Sequence, residues 1–136
     1  MGFRHLVTEE FIHLDIVEFR EVRGDSDRAR EETRELVKTR PALAGMYNIG
    51  GGLRGIAEAM SEKAMGNRII LVGHELTHPV RPYVVDGTID AVIDQNPRIE
   101  AREAIDRLRR LALGQDIRGV VGLRTQVIFR ENIPEV

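Results

Sequence analysis

A chain of 136 residues with 42% apolar and 31% charged residues has the composition of one soluble globular domain. Its net charge of −2 and the lack of any long basic run leave no nucleic-acid footprint, and zero cysteines exclude disulfides and thiolate metal sites. No apolar run approaches a membrane span and no signal-peptide core opens the chain, so a cytoplasmic address without a membrane partner is expected.

Phe3, Leu6, Val7 and Phe11 fall at helical spacing, so the chain opens in an amphipathic helix. Leu14 to Val22 alternates loosely and is rich in β-branched and aromatic residues, which predicts a strand. Gly24-Asp25-Ser26 reads as a turn and N-cap, with Ala29, Thr33, Leu36 and Val37 marking the buried face of the helix that follows. Pro41 closes it. Leu43 to Ile49 is a second strand, and a helix from about Leu53 to Met65 follows, with Gly66 suited to end it.

Arg68 to Val72 carries a continuous apolar run, the pattern of a strand covered on both faces. Thr77-His78-Pro79 predicts a capped helix start with proline in the first turn, reaching Val85. Asp86-Gly87 is a turn and Ile89 to Ile93 a short strand. Asn96-Pro97 caps a longer helix with Ala101, Ala104, Ile105, Leu108 and Leu111 inward, and Val120 to Ile133 holds one or two strands. Strands alternating with helices imply an α/β fold, three layers around a mostly parallel sheet.

The stretch LAGMYNIGGGLRG, Leu43 to Gly55, organises the rest. A buried strand runs out into three glycines before a helix, and open α/β sheets bind ligands beyond such carboxyl ends. Asn48 stands at that edge. Two later strands end in His74-Glu75 and Asp94-Gln95-Asn96, so three polar strand ends point to one site. Amides and carboxylates of this kind suit vicinal hydroxyls. Singly, Asn48 as a turn former and Asn96 as an N-cap also have structural uses. No nucleophile–base pair is evident, so no catalysis is expected.

Two motif matches compete. His74-Glu75-Leu76-Thr77-His78 spells HExxH, but zinc binding by that motif needs a helix, and the residue before Pro79 avoids helical backbone. No metal is expected. Gly50, Gly52 and Gly55 spell GxGxxG between a strand and a helix, with Glu75 placed 20 residues later as a ribose-binding acid would be. A dinucleotide-binding oxidoreductase fragment is therefore the alternative from another class.

The runs YNIGGGLRGIAEAM, RIILVGHELT and DGTIDAVIDQNPRIEAREAIDRL together resemble the C-terminal half of the effector domain of LacI-family transcriptional regulators. MGFRHLV is similar to that family's first helix after the crossover, and TQVIFRENIP to its closing strand. The resemblance implies the type I periplasmic-binding-protein-like fold, here incomplete: about 1–95 as the C-terminal lobe and 96–136 as crossover helix and closing strands. It places ligand-binding residues at Asn48, at Glu75 (where the family pattern has aspartate), at Gln95 and at Arg4, beside His74 and Asp94. A small-molecule effector, a sugar or sugar derivative, is implied, with no cofactor. A homodimer is implied too, and DNA contact only through a helix-turn-helix head that these residues do not contain. The apolar stripe Ile105, Leu108 and Leu111 would by resemblance pack on an N-terminal lobe and stand exposed without it. A periplasmic sugar-binding protein is the further alternative.

Overall fold

The computed structural model describes residues 2–62, 69–117 and 125–135. Four strands form one sheet in the order β1 (Gly45–Tyr47), β2 (Ile70–His74), β3 (Ala91–Asp94) and β4 (Gln126–Ile128). The first three are parallel and β4 runs antiparallel to β3. The register pairs Tyr47 with Val72, His74 with Ile93, and Val92 with Ile128. Three parallel neighbours therefore end at one carboxyl edge. The expected α/β, mostly parallel architecture is what the chain adopts.

Five helices accompany the sheet: α1 (Gly2–Glu10), α2 (Ser26–Thr39), α3 (Leu53–Ser61), α4 (Arg81–Val85) and α5 (Pro97–Ala112), with a 3-10 turn at Arg130–Asn132. One sheet face carries Leu71, Val92 and Ile128, all fully buried, against Ile56 and Ala57 of α3 and Val84 of α4. This apolar cluster is the core, and burial of each large side chain in it contributes about 1.5–3 kcal/mol. Leu53 lies directly over Gly73, where an added Cβ would sit 2.4 Å from its side chain. The glycine sets how closely α3 approaches β2. α1 lies on the opposite face, its Phe3 ring stacked on Tyr47 at 4.3 Å.

α2 starts where Asp25, the N-cap, accepts from the backbone N–H groups of Asp27 and Arg28. The cap is one residue earlier than the pattern suggested. Ala29 and Thr33 are buried as expected, the Thr33 hydroxyl donating to the Ala29 carbonyl. α2 packs on α3, and arginines lace the two: Arg30 reaches Glu58, and Arg34 reaches Glu62.

Several expectations are corrected. Leu14 to Val22 is not a strand; it has no ladder partner among the described residues, and Phe19 is 86% exposed. Arg20 ties it down, donating to the Glu32 carbonyl and carboxylate. Alternation supplies a strand's side chains but not its neighbour. β2 is covered chiefly on one face, since Ile70 is exposed while Leu71 and Gly73 are buried. α3 ends at Ser61, and the expected continuation toward Met65 and the Gly66 cap lies outside the described residues. α4 begins at Arg81 with Pro82, not Pro79, in its first turn; Thr77 to Val80 forms a tight turn in which the Thr77 carbonyl accepts from Val80 and Arg81.

α5 is capped by Asn96 as predicted, its side chain accepting from Ile99 N–H. Its apolar stripe is not inward: no residue of α5 is buried, and Ile105, Leu108 and Leu111 are exposed. Of the closing segment, the described part holds the one strand β4.

Candidate functional site

Backbone geometry singles out the carboxyl edge. Among the described residues three non-glycines adopt left-handed backbone: Arg23 (φ 52°), Glu75 (φ 66°) and Asn96 (φ 52°). Glu75 follows β2 directly, and Asn96 comes two residues after β3. Arg23 sits in a turn whose next residue, Gly24, abuts Gly51 after β1, and Gly50 and Gly52 there are left-handed as well. Such conformations cost about 1–3 kcal/mol each for non-glycine residues and gather at functional sites.

Asn48 is 8% exposed. Its backbone N–H continues the ladder to Val72, and its side-chain Nδ2 donates to the Gly51 carbonyl at 3.3 Å. That partner accepts only, so the amide orientation is fixed and Oδ1 is the free atom. It is buried without a hydrogen-bond partner. On the next strand, Glu75 Oε2 is likewise buried and unpartnered. Burial raises the Glu75 carboxyl above the ordinary glutamate range, with the Asp94 carboxylate adding to the rise. The Gln95 backbone N–H and His74 pull the other way. Asp94 Oδ1 accepts from Leu76 N–H at 3.1 Å, which pins the loop after β2 against β3. An unsatisfied buried acceptor costs about 1–3 kcal/mol, and here two stand on adjacent strand ends with no donor from the described chain.

The profile described as the periplasmic binding protein domain matches residues 2–116. The chain belongs to that family. Solved structures share its fold. The glucose-galactose binding protein GanP of Geobacillus stearothermophilus is 22% identical with a TM-score of 0.86, over 98% of this chain and 48% of that one. A carbohydrate transporter solute-binding protein of Agrobacterium radiobacter, in complex with D-arabinose, is 16% identical with a TM-score of 0.87 (96% and 45% covered). A sugar-binding protein of a sugar ABC transporter of Bacillus halodurans is 22% identical with a TM-score of 0.81 (96% and 49% covered). The chain thus spans about half the length of these proteins. None of the curated proteins matches it in sequence.

Within this periplasmic binding protein domain, Asn48, Glu75, Asp94 and Gln95 come together at the ends of β1, β2 and β3. Gln95 is exposed and meets Glu75 through its backbone N–H. His74 does not stand free: its Nε2 is hydrogen-bonded to the Tyr47 hydroxyl at 2.7 Å. Arg4 is exposed in the first turn of α1, beside Phe3, and borders an open depression of about 330 Å³ shared with Thr8, Leu14 and Asp15.

The two competing motifs meet specific obstacles. His74 ends a strand and His78 lies in a turn, so the helix that HExxH zinc binding needs is missing, and no metal-binding group of acids and histidines occurs among the described residues. The glycine turn is closely packed against the chain itself. A Cβ on Gly51 would sit 2.8 Å from Gly24 Cα, and one on Gly55 1.8 Å from the Ser26 carbonyl oxygen. Gly51 and Gly55 thus admit the 24–26 backbone, while a Cβ on Gly50 would meet nothing within 4 Å.

Tyr47 was not singled out by its sequence. Alternation was the available signal: it puts Tyr47 and His74 on the same sheet face, opposite Met46 and Gly73.

Proposed function

We propose that this chain is a sugar-binding lobe, contributing Asn48, Glu75, Asp94 and Gln95 to one wall of a ligand cleft, with Arg4 and His74 at its margin. The observation that carries this is the pair of buried, unpartnered acceptors, Asn48 Oδ1 and Glu75 Oε2, on neighbouring strand ends. Two hydroxyls of a sugar would satisfy both. Family membership supports the reading, as do structural neighbours described as glucose-galactose binding and as bound to D-arabinose. Residues up to about 95 would form the lobe, and 96–136 the crossover helix and closing strands.

Those neighbours favour a solute-binding protein of a sugar transporter. The effector domain of a LacI-type regulator is the second reading, favoured by the runs YNIGGGLRGIAEAM and DGTIDAVIDQNPRIEAREAIDRL. It would place the chain in the cytoplasm, as a homodimer whose ligand biases DNA binding by a helix-turn-helix elsewhere in a parent protein. The exposed stripe Ile105, Leu108 and Leu111 supports association in that reading. We read the site as one for binding without catalysis in either case; among the described residues the Ser61 hydroxyl donates to the Ala57 carbonyl and is hydrogen-bonded to Thr88.

The test is a chemical-shift titration of the isotopically labelled chain with D-galactose, D-glucose and D-arabinose. Saturable shifts at Asn48, Glu75 and Gln95, abolished in Asn48→Ala, are expected. Shifts absent there for all three sugars would overturn the reading.

A further inference from the structure

The chain is generous with arginine–carboxylate pairs. Arg20 serves Glu18, Glu32 and Glu35; Arg30 serves Asp27 and Glu58; Arg34 serves Glu31 and Glu62. At the carboxyl edge this stops. Among the described residues no lysine or arginine pairs with Glu75 or Asp94, although the two residues are held at neighbouring strand ends, Glu75 N–H donating to the Ile93 carbonyl and Leu76 N–H to Asp94 Oδ1, and the Asp94 carboxylate raises the Glu75 carboxyl. Their other neighbours are the Gln95 and Leu76 N–H groups and His74, itself held by Tyr47. At the end of the neighbouring strand β1 is Asn48 Oδ1, an acceptor on a side chain more than nine-tenths buried, with no hydrogen-bond partner.

The two buried, unpartnered atoms here, Asn48 Oδ1 and Glu75 Oε2, are both acceptors, and the nearest charged side chains without an arginine or lysine partner among the described residues are carboxyls. A neutral sugar would satisfy Asn48 with a hydroxyl but leave adjoining carboxylates without a counter-charge in a partly desolvated place. A metal ion would need a third acidic or histidine ligand, and no such group is found among the described residues.

We propose that this site takes a sugar bearing a primary amine, its ammonium seated between the Glu75 and Asp94 carboxylates and a neighbouring hydroxyl donating to Asn48 Oδ1. The proposal rests on the sugar-binding reading above and sharpens its ligand class. The ammonium takes the place of the proton that Glu75 would otherwise hold toward Asp94, so binding under acidic conditions releases a proton. Charge-assisted hydrogen bonds to two carboxylates are stronger than hydroxyl contacts, which gives the amine its advantage.

The experiment compares D-galactosamine, D-galactose and N-acetyl-D-galactosamine by chemical-shift titration of the labelled chain at near-neutral pH and physiological salt. The amine should bind about tenfold more tightly than galactose, and the uncharged N-acetyl sugar should show no such gain. In Glu75→Gln the ratio of galactosamine to galactose affinity should fall to about one, whatever the substitution does to galactose binding itself. In the unaltered chain the advantage should shrink as pH falls and Glu75 takes its proton, which decides the matter even if the variant does not fold. Equal affinities for galactosamine and galactose, or an advantage that survives both Glu75→Gln and acidification, would overturn the proposal while leaving sugar binding intact. Shifts from none of the three would instead remove the sugar-binding reading, and this proposal with it.

Discussion

Gly55 of α3 meets Ser26 of α2 so closely that a Cβ on the glycine would lie 1.8 Å from the Ser26 carbonyl oxygen. The obstacle is backbone at the capped start of a helix, so it cannot swing aside as a side-chain tip would. Close contact here lets Ala29 bury against Gly52 and the Gly24 turn rest on Gly51, and so fixes the turn that carries Arg23 beside the end of β1.

Gly55→Ala should therefore be more damaging than its single methyl suggests. Overpacking typically costs about 1–3 kcal/mol, and a rigid neighbour puts this site at or beyond the upper end. Urea unfolding checks it, with Gly2→Ala as control because an added Cβ there meets nothing within 4 Å. Equal midpoints for the two variants would show that α2 and α3 separate at little cost.

Leu71 is fully buried at the centre of the core, between β1 and β3 and beneath α3. Leu71→Ala removes three carbons from a place with little freedom to collapse, and should cost about 2–5 kcal/mol. Its neighbour on the strand, Ile70, is 53% exposed, so Ile70→Ala should cost well under half as much. Thermal melts of the pair test whether β2 has one covered face; similar losses would restore the doubly covered strand that its apolar run suggested.

The same strand shows what was legible in the sequence. The order of helices and strands, the parallel sheet and the polar strand ends all follow from local signals: apolar periodicity, glycine turns, and the cap at Asn96. What was illegible depends on a partner. Leu14 to Val22 has the alternation of a strand, yet pairing is a property of two chains' backbones, and none lies beside it among the described elements. α5 has a helical apolar stripe, yet a stripe does not say what covers it, and here nothing described buries it. At Thr77 to Val80, proline suggested a helix start, while the Thr77 carbonyl closes a turn that delays the helix to Arg81. That Asn48, Glu75 and Gln95 stand at one sheet edge was legible because each directly follows an apolar strand pattern. That His74 is engaged by Tyr47 was not, since it needs the register between β1 and β2.

Asn48 should separate binding from folding. Asn48→Ala loses the bond from Nδ2 to the Gly51 carbonyl, but also removes a buried acceptor that has no partner. The gain and loss are each on the order of 1 kcal/mol, so stability should change by less than about 1 kcal/mol while ligand shifts disappear. A large drop in the melting temperature would mean that Asn48 serves the turn rather than a ligand.

The last prediction concerns pH. Burial and the Asp94 carboxylate raise the Glu75 carboxyl above its ordinary value, so the folded chain holds this proton more tightly than the unfolded chain does. Between the ordinary glutamate value and the raised one, the native state binds more protons. Stability from this group is then fully present below that window and falls as pH rises through it. Glu75→Gln keeps the shape, cannot ionise, and should remove the decline, leaving the variant more stable than the parent chain at neutral pH. Urea midpoints of both proteins across the mildly acidic range decide this. A difference that stays constant with pH would mean that Glu75 titrates normally in the folded chain. A difference that grows toward acid would mean that its carboxylate is stabilised there, by a cation or donor beside Oε2 that the present geometry does not contain.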